Sequence, residues 1–145
     1  MRYQVLVDID LPLEIVIEEF RNTENYYDWM KGLKKLDHIK GEPGKEGSET
    51  YLHFDTGKRK MKMLEKVLKN DLPDSYLVSY EVNGVHNEVD NHFESIGPNQ
   101  TRYTTDNLFE FKGIMKAMAF LMKGTFKKQS LKYLNDFKIF VEKKA

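Results

Sequence analysis

In the stretch KMKMLEKV, Lys60 to Val67, one carboxyl shares alternate positions with apolar side chains: Met61, Met63, Glu65 and Val67 fall on one face, and Lys60, Lys62 and Lys66 on the other. If the stretch is a strand, the lysines go to water and Glu65 goes inward with the methionines. A carboxyl in such surroundings holds its proton to higher pH and can act as a general acid or base. The simpler reading, which the residues favour, is a glutamate at an edge or pocket mouth paired with a lysine such as Lys112 or Lys116. Four histidines, His38, His53, His86 and His92, are the other groups that titrate near neutrality. No pair of them has HxH or HxxxH spacing, and His86 and His92 share a strand face with Glu88, Asp90 and Glu94, so they read as surface histidines and no metal site is expected. His53 alternates with Tyr51 and Asp55 against Leu52 and Phe54, which leaves its facing open.

Other chemistries are excluded by what is missing. The chain has no cysteine, hence no disulfide, thiolate nucleophile or cysteine metal site. It has no GxGxxG, P-loop, nucleophile elbow or HExxH, so no nucleotide or other cofactor is expected. Lys+Arg and Asp+Glu are both 23, which leaves no basic surplus to neutralise a phosphate backbone, so nucleic acid is not an expected partner. The opening MRYQVLVDIDLP lacks the continuous apolar region of a signal peptide, which points to a cytoplasmic protein. The longest strongly apolar run, Ala117 to Met122, is bounded by Lys116 and Lys123 and falls far short of the roughly 20 residues a membrane span needs.

These residues must be held by elements, and the chain of 145 residues has the size of a single domain, residues 1–145. Arg2 to Ile9 largely alternates and predicts a half-buried strand. Pro12 suits the first turn of a helix carrying Ile15, Val16 and Phe20, and Thr23 is placed to cap a second short helix, Glu24 to Lys31. From Leu33 to Phe111, runs of strand character are separated by turn signals: GEPGKEGS, DTGK, NDLPD, Asn83-Gly84 and GPNQ. That spacing predicts six antiparallel strands, seven in all, with Asn83-Gly84 as a tight type I′ hairpin. From about Ile114 to Lys144 one amphipathic helix is expected. At about 100° per residue, Met115, Ala119, Met122, Phe126, Tyr133, Phe137 and Phe140 share a stripe, with Met118 and Val141 at its edges.

The opening VLVDIDLPLEIVIEEF, then EVNGVHNEVDNHFESIGPNQTRYTTDNLFEFKG, then FLMKGTFKKQSLKYLNDFKIFVE resemble the START-like (SRPBCC) superfamily, which includes polyketide cyclase/dehydrase-like and birch-pollen-allergen-like proteins. The likeness spans essentially the whole chain. It implies an α+β helix-grip fold: a curved seven-stranded antiparallel β-sheet wrapped around a long C-terminal α-helix, with two short helices after strand one. It also implies that Asn87, Val89, Asn91 and Phe93 of strand six, and Thr105, Asn107, Phe109 and Phe111 of strand seven, look into a cavity. Residue types agree in part, since the opposite faces carry Glu88, Asp90, Glu94, Arg102 and Asp106.

An inward amide needs hydrogen-bond partners, so Asn87, Asn91 and Asn107 form either a polar strip that orients a ligand or an internally bonded network. With them the expected ligand-binding set comprises Trp29, Met63, Tyr80, Phe93, Phe109, Met115, Met118, Met122 and Phe126. The expected function is binding of a small hydrophobic or amphipathic molecule between sheet and C-terminal helix, by a monomer or weak homodimer. Two alternatives stand beside it. A polyketide cyclase/dehydratase-like enzyme would converge Glu65, His53 or Tyr80 with Asn91 or Asn107, and a co-chaperone-like interaction module would show a filled core and an exposed apolar patch. The residues leave open whether the chain is catalytic.

Overall fold

Strand one pairs with the last strand, not with its successor in sequence. In a computed structural model, which describes residues 1–145 apart from the side chain of Lys123, the sheet runs β1-β7-β6-β5-β4-β3-β2. Its strands are β1 (Arg2–Ile9), β2 (Leu33–Lys40), β3 (Glu49–Asp55), β4 (Lys60–Asp71), β5 (Ser75–Val82), β6 (Val85–Gly97) and β7 (Gln100–Phe111). All are antiparallel. Between β1 and β2 come α1 (Leu13–Arg21), a 3-10 turn at Thr23–Asn25, and α2 (Tyr26–Trp29). The loops fall on the turn signals, and Asn83 and Gly84 take φ of 40° and 78°, as the type I′ hairpin requires. The α+β helix-grip architecture is thus the one expected.

Two local expectations are corrected. The second helix shrinks to the 3-10 turn plus α2, and its cap is Asn22, whose side chain accepts from Glu24 N, not Thr23. The long C-terminal helix is two helices, α3 (Met115–Leu121) and α4 (Lys123–Lys144), broken at Met122, where φ is −111° and ψ 17°. Gly124 lies in the first turn of α4 and is a poor helix former. The apolar spacing runs on across the break, which is why it reads as one helix. No described helix is long and apolar enough to cross a membrane.

α4 lies on the sheet along the stripe, with Phe137 and Val141 fully buried and Leu134, absent from the expected stripe, nearly so. Around Phe137 the aromatics interlock edge to face: Phe20 of α1 at 5.7 Å, Trp29 of α2 at 5.2 Å and Tyr103 of β7 at 5.8 Å between ring centres. Aromatic pairs in this geometry gain attraction beyond the area they bury. α1 is tied to the end of α4 by the Lys144–Glu19 ion pair at 2.7 Å. At the other end the helix start is held to β1, where the Tyr3 hydroxyl and Ser130 Oγ lie 2.6 Å apart. α3 begins beside the β5–β6 hairpin, where Lys112 N donates to Gly84 O at 3.0 Å.

Candidate functional site

Register stacks the inward side chains into rows across the sheet. One row is Glu65–Tyr80–Asn87–Phe109, and the next, deeper, is Val67–Val78–Val89–Asn107–Tyr3. Below these come Tyr76–Asn91–Thr105–Val5 and then Phe93–Tyr103–Val7. Glu65 apart, which is buried in the first row, burial rises down this ladder: Phe93, Tyr103 and Val7 are buried, whereas Tyr80, Asn87 and Phe109 are only half-buried. Side chains are therefore buried toward α1, α2 and Phe137 and only half-buried toward Met63, Phe111 and α3, along a strip that forms the candidate trough.

Glu65 is the group where expectation and structure part. It is 6% exposed, no lysine pairs with it among the described ion pairs, and its Oε2 is buried without a hydrogen-bond partner. The lysine-paired pocket-mouth reading is overturned: Lys112 and Lys116 are exposed, and aromatic hydroxyls surround the carboxyl instead. Tyr26, Tyr76, Tyr80 and Tyr133 all sit close enough to Glu65 to feel its charge. Burial pushes the Glu65 pKa up to about 7, against a lesser lowering by its hydrogen bond to Tyr80. The four phenols are likewise raised, by burial first and by the carboxylate second. Tyr80 and Tyr133 are half-buried as residues. At neutral pH such a carboxyl is divided between acid and base forms, which suits it to give or take a proton.

The amides are largely spoken for by the protein. Asn91 Nδ2 donates to Tyr76 O at 2.9 Å, and its Oδ1 accepts from the Tyr103 hydroxyl at 2.5 Å. Asn107 Nδ2 donates to Thr105 Oγ1 at 2.9 Å, and Asn87 Nδ2 to Leu108 O at 3.1 Å. Of the expected ligand-binding set, Trp29, Asn91 and Phe93 lie in the closed end and Asn107 beside it. Met63, Tyr80, Asn87, Phe109, Met115 and Phe126 are half-buried around the open end, where Phe126 packs against Phe109 at 5.1 Å. Met118 and Met122 are 46% and 40% exposed. The tyrosine ring was not foreseen as a unit; the one sequence signal for it was that Tyr76 and Tyr80 alternate on an inward strand face.

The histidines stay outside this space. His53 pairs in register with Lys62 on the outer face, opposite buried Leu52. His86 is bracketed by Glu81 and Glu88, and His92 by Asp90, Asp106 and the Asp74 carbonyl. These outer-face histidines are therefore ion-paired rather than freely solvated. Glu110 joins His86 and Glu88 to complete a group of potential metal ligands. Hydrogen bonding to Glu88 raises the His86 pKa. At His92, burial works the other way and is outweighed by Asp74 O, Asp90 and Asp106, so the net shift is also upward. A raised histidine stabilises the fold fully below the unfolded-state value, about 6.5, and loses that contribution as pH rises through the folded value. NMR titration is expected to place both ring midpoints above the ordinary value, and His92→Gln to flatten the fall in stability over that window; midpoints at or below it contradict the pairing.

A separate concavity of about 490 Å³ lies on the outside, between α2 and the last turns of α4, lined by Trp29, Lys31, Ile139, Phe140 and Lys143 among others. It does not reach the Glu65 carboxyl, and most of its charges are already paired, as in Lys31–Asp136. The interior trough, with its unpartnered buried oxygen, is the better candidate.

No protein-family model matches the chain, and no curated protein matches it in sequence. Solved structures do. The Zhui aromatase/cyclase from Streptomyces sp. R1128 superposes with a TM-score of 0.81 at 12% identity, covering 98% of this chain and 93% of that one. Ara h 8.0201 gives a TM-score of 0.75 at 10% identity over 97% of each chain. Norcoclaurine synthase from Thalictrum flavum, in complex with dopamine and hydroxybenzaldehyde, gives 0.73 at 13% identity, covering 95% of this chain and 83% of that one. At such identities the likeness is one of fold, and that fold is the helix-grip architecture of START-like proteins to which the sequence resemblance pointed.

Proposed function

We propose that the chain binds a small amphipathic molecule, an apolar or aromatic body bearing a hydroxyl or amine, in the trough between sheet, α3 and the start of α4. One observation carries this reading: a half-buried apolar approach of Met63, Phe109, Met115 and Phe126 leads to a buried carboxyl whose Oε2 has no partner. An unsatisfied buried acceptor costs about 1–3 kcal/mol, which a donor on the ligand would recover. The methionines favour a ligand of loosely specified shape, since their flexible thioethers conform to what they meet. Aromatics with polar substituents, such as the dopamine and hydroxybenzaldehyde bound by norcoclaurine synthase, are of the right chemistry.

The same carboxyl supports a second reading, a cyclase/dehydratase-like enzyme in which Glu65 moves a proton and Tyr80 orients it. Native mass spectrometry of the protein purified from its own host tests the first reading by the mass of a co-purified molecule. In solution, 1-naphthol is expected to bind about tenfold tighter than 1-methoxynaphthalene, because only the former donates a hydrogen bond. Equal affinity removes Glu65 from the site, and no binding of either probe together with no co-purified molecule ends the proposal. Turnover of the co-purified molecule that vanishes in Glu65→Gln selects the enzyme.

A further inference from the structure

α3 is a short helix with most of its large apolar residues on the outside. Ile114, Phe120 and Leu121 are 80%, 86% and 83% exposed, and Met118 and Met122 stand beside them, also exposed. Single exposed apolar residues are ordinary, but a contiguous group of this size on one tip marks a contact surface. The charge around it is one-sided. From Lys112 to Asn135 the chain carries lysines at 112, 116, 123, 127, 128 and 132 and no acidic residue, although the whole protein balances 23 basic against 23 acidic side chains. Lys112, Lys116, Lys127 and Lys128 are exposed, and the ion pairs within α4, Lys132–Asp136 and Lys138–Glu142, lie further along the helix.

We infer that the α3 tip docks on an anionic lipid surface, with Phe120, Leu121 and Ile114 entering the headgroup layer and the surrounding lysines facing lipid phosphates. Exposed aromatic and aliphatic side chains with exposed lysines close by in the chain are the pattern of peripheral attachment, in which apolar insertion and attraction to acidic headgroups add. Charge complementarity selects this occupant over a second copy of the chain. In a two-fold dimer through the tip, each lysine cluster would meet its own image, and like charges would oppose the apolar contact. Apolar residues at the centre of the patch likewise favour a layered surface over nucleic acid, whose backbone offers them little. The inference rests on surface residues alone and is independent of the trough.

Co-sedimentation of the full chain with phosphatidylcholine vesicles, with and without phosphatidylglycerol, tests it. Binding is expected only with the anionic lipid, and rising salt should weaken it. The double variant Phe120→Ser/Leu121→Ser is expected to lower partitioning roughly tenfold or more, and Lys127→Gln about fivefold. Because these side chains are exposed, circular dichroism and 1-naphthol binding should stay as in the wild type, which separates this test from that of the trough. The inference is overturned by no sedimentation with anionic vesicles, by sedimentation indifferent to Phe120 and Leu121, or by a dimer that the double variant dissociates while vesicles are ignored. Capture by an acidic polypeptide such as polyglutamate without vesicle binding overturns it in favour of a protein partner.

Discussion

Glu65→Gln is expected to make the protein more stable at pH 8 and to change little at pH 5. The carboxyl is held near pKa 7 against an ordinary 4.5, so the folded state binds a proton that the unfolded chain has released across that interval. Stability conferred by the neutral acid is present below about pH 4.5 and drains away as pH rises through 7. Releasing that proton late, near 7 and not 4.5, amounts to roughly 3 kcal/mol of lost stability by pH 8. Glutamine keeps the shape and can bond to the tyrosine hydroxyls, yet it has no charge to bury. Urea unfolding of both proteins at the two pH values measures the effect. Parallel pH profiles would mean that the carboxyl is not held as the tyrosine ring implies, and the proton-transfer reading would fall with it.

Phe137→Ala should remove about 3–5 kcal/mol, a large share of the 5–15 kcal/mol typical of a domain. Phe137 is fully buried and joins α4 to Phe20, Trp29 and Tyr103, hence to both short helices and the sheet at once. Phe126→Ala is the informative companion. That ring is half-buried at the open end, against Phe109 and Phe111 at 5.1 and 5.4 Å. Its loss should cost distinctly less stability while weakening ligand uptake. Chemical denaturation and 1-naphthol titration of both variants separate the ends of the trough, and equal stability losses would contradict the division into a closed core and an open mouth.

Much of the architecture is written locally. Asn83-Gly84 takes positive φ in both residues, and the alternation of Lys60 to Val67 turns its apolar set inward as the pattern demands. The split at Met122 is harder to see, because helical spacing of apolar residues says nothing about whether a surface lies beneath them; beside α3 the residues find solvent. Glu65 is harder still. Its lysine neighbours in sequence lie on the opposite face, and the groups that define its environment arrive from α2, β5 and α4, so no window of the chain contains the site. Asn91 shows the same limit: an inward amide could be recognised, but whether Tyr103 or a ligand would meet its oxygen depended on the register of the neighbouring strand β7.

The pairing of β1 with β7 has a consequence during synthesis. Val5 lies opposite Thr105 and Ile9 opposite Thr101, so β1, once out of the ribosome, waits for a partner some hundred residues behind it. At about 5–20 residues per second that wait lasts on the order of ten seconds. Hairpins from β2 to β6 can form meanwhile, leaving β6 with an unpaired edge and β1 with buried-to-be Val5, Val7 and Ile9 in water. Only when β7 emerges does one strand satisfy both, placing Tyr103 on Phe93 and closing the sheet in a single late step. For the nascent chain, the hazardous interval is the one before residue 111 clears the exit tunnel, and it is there that a chaperone would matter most.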